Sequence, residues 1–180
     1  MSEISTTVLR FKDCDQQALT DLVAKLGMQV CVVEAGAEIP GSFWGDDEAG
    51  LIEDVLYLRD DTPVHSVLHE SCHFACMDDK RRASLHTNAG GDADEENAVC
   101  YLQILLSDTL PDMGRQRIFK DMDAWGYSFR LGSASAWFEN DADDARQWLK
   151  HRGLLTVAEE LTHANRVAGT EVRPQGTVFK

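Results

Sequence analysis

His69-Glu70-Ser71-Cys72-His73 is the stretch on which the interpretation of this chain depends. Side chains four residues apart share one face of an α-helix, so His69 and His73 can reach the same metal ion. Glu70 lies beside them, where a carboxylate can take a proton from a metal-bound water. The whole chain contains six histidines, so this spacing indicates a metal site rather than a chance match.

The segment around this motif has the signals of a helix spanning 63–77. Thr62 can cap the helix start, and Pro63 is tolerated in the first turn, where its missing N–H costs nothing. His65 extends the series by one turn and is interpreted as a surface or supporting histidine in preference to a ligand. The histidines and cysteines of the helix, whose side chains can bind metal, lie along one stripe: His65, His69, Cys72, His73 and Cys76.

A third ligand must come from elsewhere, because two histidines alone do not hold a catalytic metal. The acidic start of the next predicted helix, 95–106, is the best source. The stripe from Glu95 passes through apolar positions, which favours Glu95 as the third ligand. Glu96, whose stripe passes through Cys100 and Gln103, is the alternative.

Five other residues are candidates for the site, each with an ordinary structural explanation beside the functional one. His86 could polarise a substrate oxygen, or be a solvated loop residue. Tyr101 and Tyr127 could donate to an oxyanion, although core packing is the usual fate of tyrosines. Phe43 and Trp44 could line a cleft, or cover the core as turn aromatics.

The remaining pattern predicts an α+β fold with a small N-terminal sheet, the motif helix and a helical C-terminal half. No linker or repeat divides the chain, so one domain is expected over 1–168, followed by a loose tail at 169–180. A polar connection is expected at 78–94 and a short turn at 133–138. The other predicted strands are 7–11, 29–34, 50–52 and 55–59, and the other helices are 16–26, 115–125, 141–151 and 157–166.

The composition limits the partners. The chain has 180 residues, a formal net charge of −14 and a pI near 4.7, which argue against nucleic acid or an anionic membrane as a partner. A peptide or protein substrate, preferably basic, fits this surface better. The five cysteines lack the spacings of a disulfide scaffold or a zinc knuckle, and no signal peptide is evident, so a cytoplasmic protein is expected. The oligomeric state is left open.

The arrangement resembles the zincin superfamily of the glutamate-ligand type. The resemblance rests on the motif helix, a connection, and a second helix with Glu95 followed by Ala98. It implies a zincin-like domain in which the strand at 55–59 is an edge strand that pairs with an extended peptide. Val99 stands where such families often have Asp or Asn, and this difference leaves Glu96 as the alternative third ligand. Another zincin subtype would use Asp79.

Two features weaken the further ligand candidates. Cys76 stands where the second zincin subtype has a turn-forming glycine, which makes Asp79 harder to bring to the metal. Cys76 could itself touch the ion, although a helical cysteine is more often a small core residue.

The first half of the chain also resembles the elongation factor P hydroxylase family. The shared layout comprises the segment 36–40, the core Leu68-His69-Glu70 with His73, and the pair Arg81-Arg82. This resemblance implies metal-dependent hydroxylation of a modified lysine. The two histidines and a carboxylate would then form a face suited to Fe²⁺.

Three functions follow from these residues. The first is peptide or amide hydrolysis by a Zn²⁺-activated water, with Glu70 as general base and His69, His73 and Glu95 or Glu96 as ligands. The second is hydroxylation with Fe²⁺ in the same position. The third is a metal-binding protein without turnover.

Overall fold

Three short strands form a sheet that precedes the motif helix: β1 (Gln29–Val32), β2 (Gly50–Ile52) and β3 (Val55–Leu58). β3 is the central strand, parallel to β1 and antiparallel to β2. The computed structural model describes residues 8–156 and Leu161. The predicted helix at 157–166, apart from Leu161, and the predicted tail at 169–180 lie outside the described residues.

Within the described residues the chain has seven α-helices, which with the sheet make a mixed α+β fold. Carboxylate caps begin two of the predicted helices: Asp15 accepts a hydrogen bond from Ala18 N in the first, and Asp92 accepts one from Glu95 N in the fourth. The helices are α1 (Gln16–Lys25), α2 (Val64–Cys76), α3 (Asp79–Ala83), α4 (Ala93–Ser107), α5 (Arg115–Trp125), α6 (Ala134–Asn140) and α7 (Asp143–His151).

Three local predictions need correction. Two segments expected to be irregular contain the short helices α3 and α6, whose starts are capped by Asp78 and Ser133. The expected first strand at 7–11 is reduced to a bridge between Arg10 and Pro63, followed by a 3-10 turn at Phe11–Asp13. Residue 7 is not among the described residues.

The start of α2 also differs in detail from the prediction. Pro63 occupies the N-cap position, and no side chain caps this end. The Thr62 hydroxyl instead accepts a hydrogen bond from Arg59 N at 2.9 Å. Thr62 therefore stabilises the turn that leads out of β3, and so sets the direction from which the motif helix starts.

The core is centred on α4, which is buried on almost every side and contacts α2, α5 and α7. Burial of side chains on α4 and α2, including Leu102, Ile104, Val67 and Leu68, presses the two helices together. The motif helix thus has a rigid partner along its length. Among the described residues no helix combines the length and apolarity needed to cross a membrane.

Gly50 joins the sheet to the segment that precedes two exposed aromatics. A Cβ at this position would collide with Pro40 O and the backbone at Ser42, which forms a bridge with Gly50. Since backbone cannot move aside as a side chain can, Gly50→Ala is expected to lower the free energy of unfolding by about 1–3 kcal/mol. Urea denaturation followed by circular dichroism measures this change.

The matched control for Gly50 is Gly90→Ala. Its added methyl would meet only the Asn88 amide oxygen, at 3.1 Å, and that side chain can rotate away. We expect a change within about 0.5 kcal/mol. Equal destabilisation by the two substitutions would contradict the proposed backbone clash at Gly50.

Candidate metal centre

The two motif histidines converge on one point, as their spacing predicts. Their Nε2 atoms lie 3.1 Å apart, and the imidazole planes are at 85° to one another. Both side chains are largely buried, with 15% of His69 and 6% of His73 exposed. Two nitrogen donors are therefore held close together at the edge of the core.

Glu96 completes this convergence from α4. Its two carboxylate oxygens lie 3.1 Å from His69 Nε2 and 3.2 Å from His73 Nε2. Partial burial acts to raise the pKa of Glu96, but the hydrogen bonds from the two histidines outweigh it and hold the pKa well below its usual range. Glu96 is thus an anion that faces both imidazoles. Two imidazoles and one carboxylate form a set of donors that can bind a divalent metal ion.

Glu95, the preferred third ligand from the sequence, does not face the histidines. Its carboxylate is buried and forms a bidentate pair with Arg81, at 2.8 and 3.0 Å. Gly91 allows this packing, because a Cβ there would lie 2.5 Å from Glu95 Cδ. The structure therefore reverses the preference between the two glutamates, while metal binding itself stays a prediction.

The neighbouring glutamates provide a matched test of this placement. Glu96→Gln is expected to weaken zinc binding by about 100-fold, because it removes the charged donor that faces both histidines. Glu95→Gln is expected to leave zinc affinity within about 3-fold and to lower the free energy of unfolding by about 1–2 kcal/mol, because it breaks the pair with Arg81. Competition with a chromogenic chelator and urea denaturation measure the two effects. The reverse pattern would restore Glu95 as the ligand.

Gln103 orients the first histidine. Its Oε1 lies 3.0 Å from His69 Nδ1, and its Nε2 donates to the carbonyl of His65 at 2.9 Å. Since Oε1 can only accept, His69 Nδ1 carries a proton. His69 Nε2 faces Glu96 at 3.1 Å, where it donates a hydrogen bond to the carboxylate, and a bound metal ion would replace that Nε2 proton and leave the ring protonated at Nδ1. This is the tautomer that a metal ligand needs, and the residues present therefore fit a metal ion.

Cys100 lies one turn beyond Glu96 on the same stripe of α4. The ligand atoms of His69, Glu96 and Cys100 all lie within 4.8 Å of one another. Sequence reasoning placed Cys100 and Gln103 on the Glu96 stripe without assigning either a role. The sequence feature that could have pointed to them is the presence of two polar residues, Glu96 and Gln103, on one stripe of a mostly apolar helix.

His69, His73 and Glu96 line a cleft of about 190 Å³. Glu70 lines it together with the histidines and Glu96. The side chains of Phe43 and Trp44 stand at its rim, 55% and 75% exposed, with their rings edge to face at 5.0 Å. The other lining residues are Thr87, Asn88, Ala89 and Gly90.

Glu70 belongs to a group of carboxylates near the histidines. Burial raises the pKa of Glu70, while His69 and His73 act in the opposite direction. Burial also raises the pKa of Glu48, which accepts a hydrogen bond from Trp125 Nε1 at 2.7 Å. A carboxylate with a raised pKa beside a metal site suits proton transfer near neutral pH.

Buried His65 and half-buried Tyr127 are neighbours of the site and do not line the cleft. Tyr127 OH lies 3.3 Å from His65 Nδ1, and its ring centroid is 5.5 Å from that of His69. Burial lowers the pKa of His65 to about 3, so this imidazole is neutral, and burial raises the pKa of Tyr127 to about 12. The Tyr127 ring packs against the rings of both His65 and His69, so the surroundings of His69 on this side are uncharged.

Other candidates from the sequence lie outside the cleft. His86 is exposed and contacts the hydroxyl of Thr87 at 2.9 Å. Tyr101 is buried and stacks on Phe138 with ring centroids 4.5 Å apart, which is a core contact. Asp79 pairs with Arg82 on the surface at 3.4 Å. Cys76 is buried in α2.

The strand expected to pair with a peptide is not an edge strand. β3 has hydrogen-bonded neighbours on both sides, so its backbone is already engaged. The outer side of β2 is also partly covered, because Thr87 N donates to Leu51 O at 2.9 Å and Glu53 N donates to Leu85 O at 2.7 Å. The connection 85–87 thus takes the place that an added peptide strand would need.

Comparisons of the chain with protein-family models, with curated proteins and with solved structures gave no match.

Proposed function

We propose that this protein is a metal-dependent hydrolase that cleaves peptide or amide bonds. The ion would be held by His69, His73 and Glu96, with Glu70 as the general base. The observation that carries this proposal is that the Glu96 carboxylate faces both histidine Nε2 atoms at the floor of a cleft that Glu70 also lines. A ligand set of two histidines and a glutamate, with an acid–base carboxylate beside it, is typical of metallopeptidases.

The proposed mechanism gives separate roles to Glu70 and Gln103. A zinc-type ion bound there would lower the pKa of a coordinated water toward neutrality and polarise the substrate carbonyl. Glu70 takes the proton of the attacking water and passes it to the leaving nitrogen. Gln103 keeps His69 in the tautomer that presents Nε2, through the 3.0 Å contact with Nδ1.

The size of the cleft limits the substrate. At about 190 Å³ it is smaller than the 300–1,000 Å³ typical of sites that enclose a whole small molecule. It is better matched to a part of an extended chain, with one side chain against Phe43 and Trp44 at the rim. The formal net charge of −14 favours a basic peptide or protein substrate.

The same donor set supports a second function, hydroxylation with bound Fe²⁺. Two histidines and one carboxylate that converge from one side form the ligand face used by non-haem iron oxygenases. The two functions predict different metals. Iron near one atom per chain in protein purified without added metal would favour hydroxylation, and zinc at that level would favour hydrolysis.

A mixture of extended peptides with basic residues tests the proposed hydrolysis. We expect zinc-loaded protein to cleave a subset of them, because the cleft supplies both the ligands and the base. Removal of the metal with a chelator should abolish cleavage, and added Zn²⁺ should restore it. Mass spectrometry identifies the cut bonds. Zinc binding without cleavage of any peptide or amide would instead indicate a metal-binding protein without turnover.

A further inference from the structure

The side chains around the predicted metal position include two i, i+4 pairs on two packed helices. His69 and His73 are four residues apart on α2, and Glu96 and Cys100 are four residues apart on α4. α2 and α4 pack against each other, and the Glu96 stripe of α4 faces the histidines. Each helix therefore presents one i, i+4 pair to the same space.

We propose that Cys100 is a thiolate ligand that completes the coordination of the metal in the resting protein. Its Sγ lies within 4.8 Å of donor atoms of both His69 and Glu96. Donors around a tetrahedral zinc are separated by about 3.5 Å, so a small side-chain rotation brings the sulfur into range. The inference rests on the proposed metal site, and it adds a residue that the two-histidine, one-glutamate pattern does not contain.

The environment of Cys100 suits a ligand. Cys100 is buried, with 7% of its surface exposed, yet it lies next to the polar group formed by His69 and Glu96 rather than among apolar side chains alone. When a divalent ion binds, the thiol proton is released and the sulfur bonds to the ion, with no change in oxidation state.

A thiolate changes which metal the site prefers. Sulfur is a soft donor that favours zinc over magnesium or manganese, and a mixed set of two nitrogens, one oxygen and one sulfur suits zinc. With all four side chains bound, water enters by displacing Cys100 or as a fifth ligand. Cys100 would therefore select zinc and also limit access to the open position that hydrolysis needs.

Cobalt substitution tests the ligation directly. Co²⁺ bound by wild-type protein should give a sulfur-to-cobalt charge-transfer band in the near ultraviolet. Cys100→Ser should abolish this band and weaken zinc binding at least about 10-fold, while cobalt still binds through the histidines. Cys31→Ser is the matched control, because Cys31 is exposed on β1 and should leave both band and affinity unchanged. The amount of bound cobalt is measured separately by elemental analysis.

Each outcome decides the proposal. A wild-type protein that binds cobalt without the band, or a Cys100→Ser variant that retains it, overturns Cys100 as a ligand and leaves the proposed hydrolase intact. Failure of the wild type to bind cobalt and zinc overturns the metal site and the hydrolase together. If Cys100→Ser does not fold, X-ray absorption of the wild-type zinc protein decides, since a ligand sulfur appears at about 2.3 Å and its absence overturns the proposal.

Discussion

Replacement of His69 by alanine is expected to lower the zinc affinity of the protein by about 1,000-fold. Zinc binding by a protein site has a free energy on the order of 12 kcal/mol, so loss of one of three or four ligands removes about 4 kcal/mol. His69 should show the full effect, because Gln103 holds its ring in place and Glu96 faces its Nε2 at 3.1 Å. Competition titration with a chromogenic chelator measures the change.

His151→Ala provides the control for His69→Ala. His151 is the exposed last residue of α7 and is not among the residues that line the cleft. This substitution also removes one histidine, as His69→Ala does, but it should leave the zinc affinity unchanged. A His69→Ala variant that binds zinc as tightly as the wild type would show that the metal position is wrong.

Glu70→Gln is expected to reduce the rate of peptide hydrolysis by about 100- to 10,000-fold without loss of the metal. The amide has nearly the shape of the carboxylate but cannot take a proton, so the substitution removes general-base catalysis alone. The pKa of Glu70 is raised by burial, which suits this role in the wild type. Steady-state kinetics on a peptide that the wild type cleaves gives the rate, and elemental analysis gives the zinc content.

The comparison for Glu70 is Glu139→Gln, which makes the same chemical change at an exposed position of α6. It should leave both the rate and the zinc content at wild-type values. Hydrolysis that survives Glu70→Gln at an undiminished rate, with zinc still bound, would exclude Glu70 as the general base and leave the metal ligands unaffected.

Several local elements of this protein could be predicted from the sequence. α5 begins and ends at the predicted residues, and α1 begins at the predicted Gln16 after a carboxylate cap at Asp15, whereas α4 begins at Ala93, two residues before the predicted start at 95. β2 and β3 also lie where their apolar runs place them. These features depend on interactions within a few residues of one another, which a sequence pattern records directly.

Local patterns could not show whether Glu95 or Glu96 faces the histidines. Neighbouring residues on a helix point about 100° apart, so the choice between Glu95 and Glu96 depends on which side of α4 faces α2. The apolar stripe suggested the Glu95 side, but α4 is buried on both sides, and periodicity does not distinguish one buried face from another. In the structure the Glu95 carboxylate pairs with Arg81, a contact between residues 14 positions apart in the sequence.

The predicted edge strand was wrong for a similar reason. The apolar run in 55–59 is consistent with either an edge or a central strand. The order of strands is set by the parallel pairing of β3 with β1, across a connection of more than twenty residues. No local pattern contains that pairing, so the peptide cannot add to β3 as the resemblance implied.

The local sequence is enough to predict a helix with two histidines on one face and a glutamate beside them. Because of the i, i+4 geometry of a helix, His69 and His73 lie on one face of α2 in any fold that contains this helix. No local pattern predicts that Glu96 faces the histidines, with Gln103 and Cys100 beside them. These contacts come from packing of α2 against α4, which depends on shape and burial over the whole core.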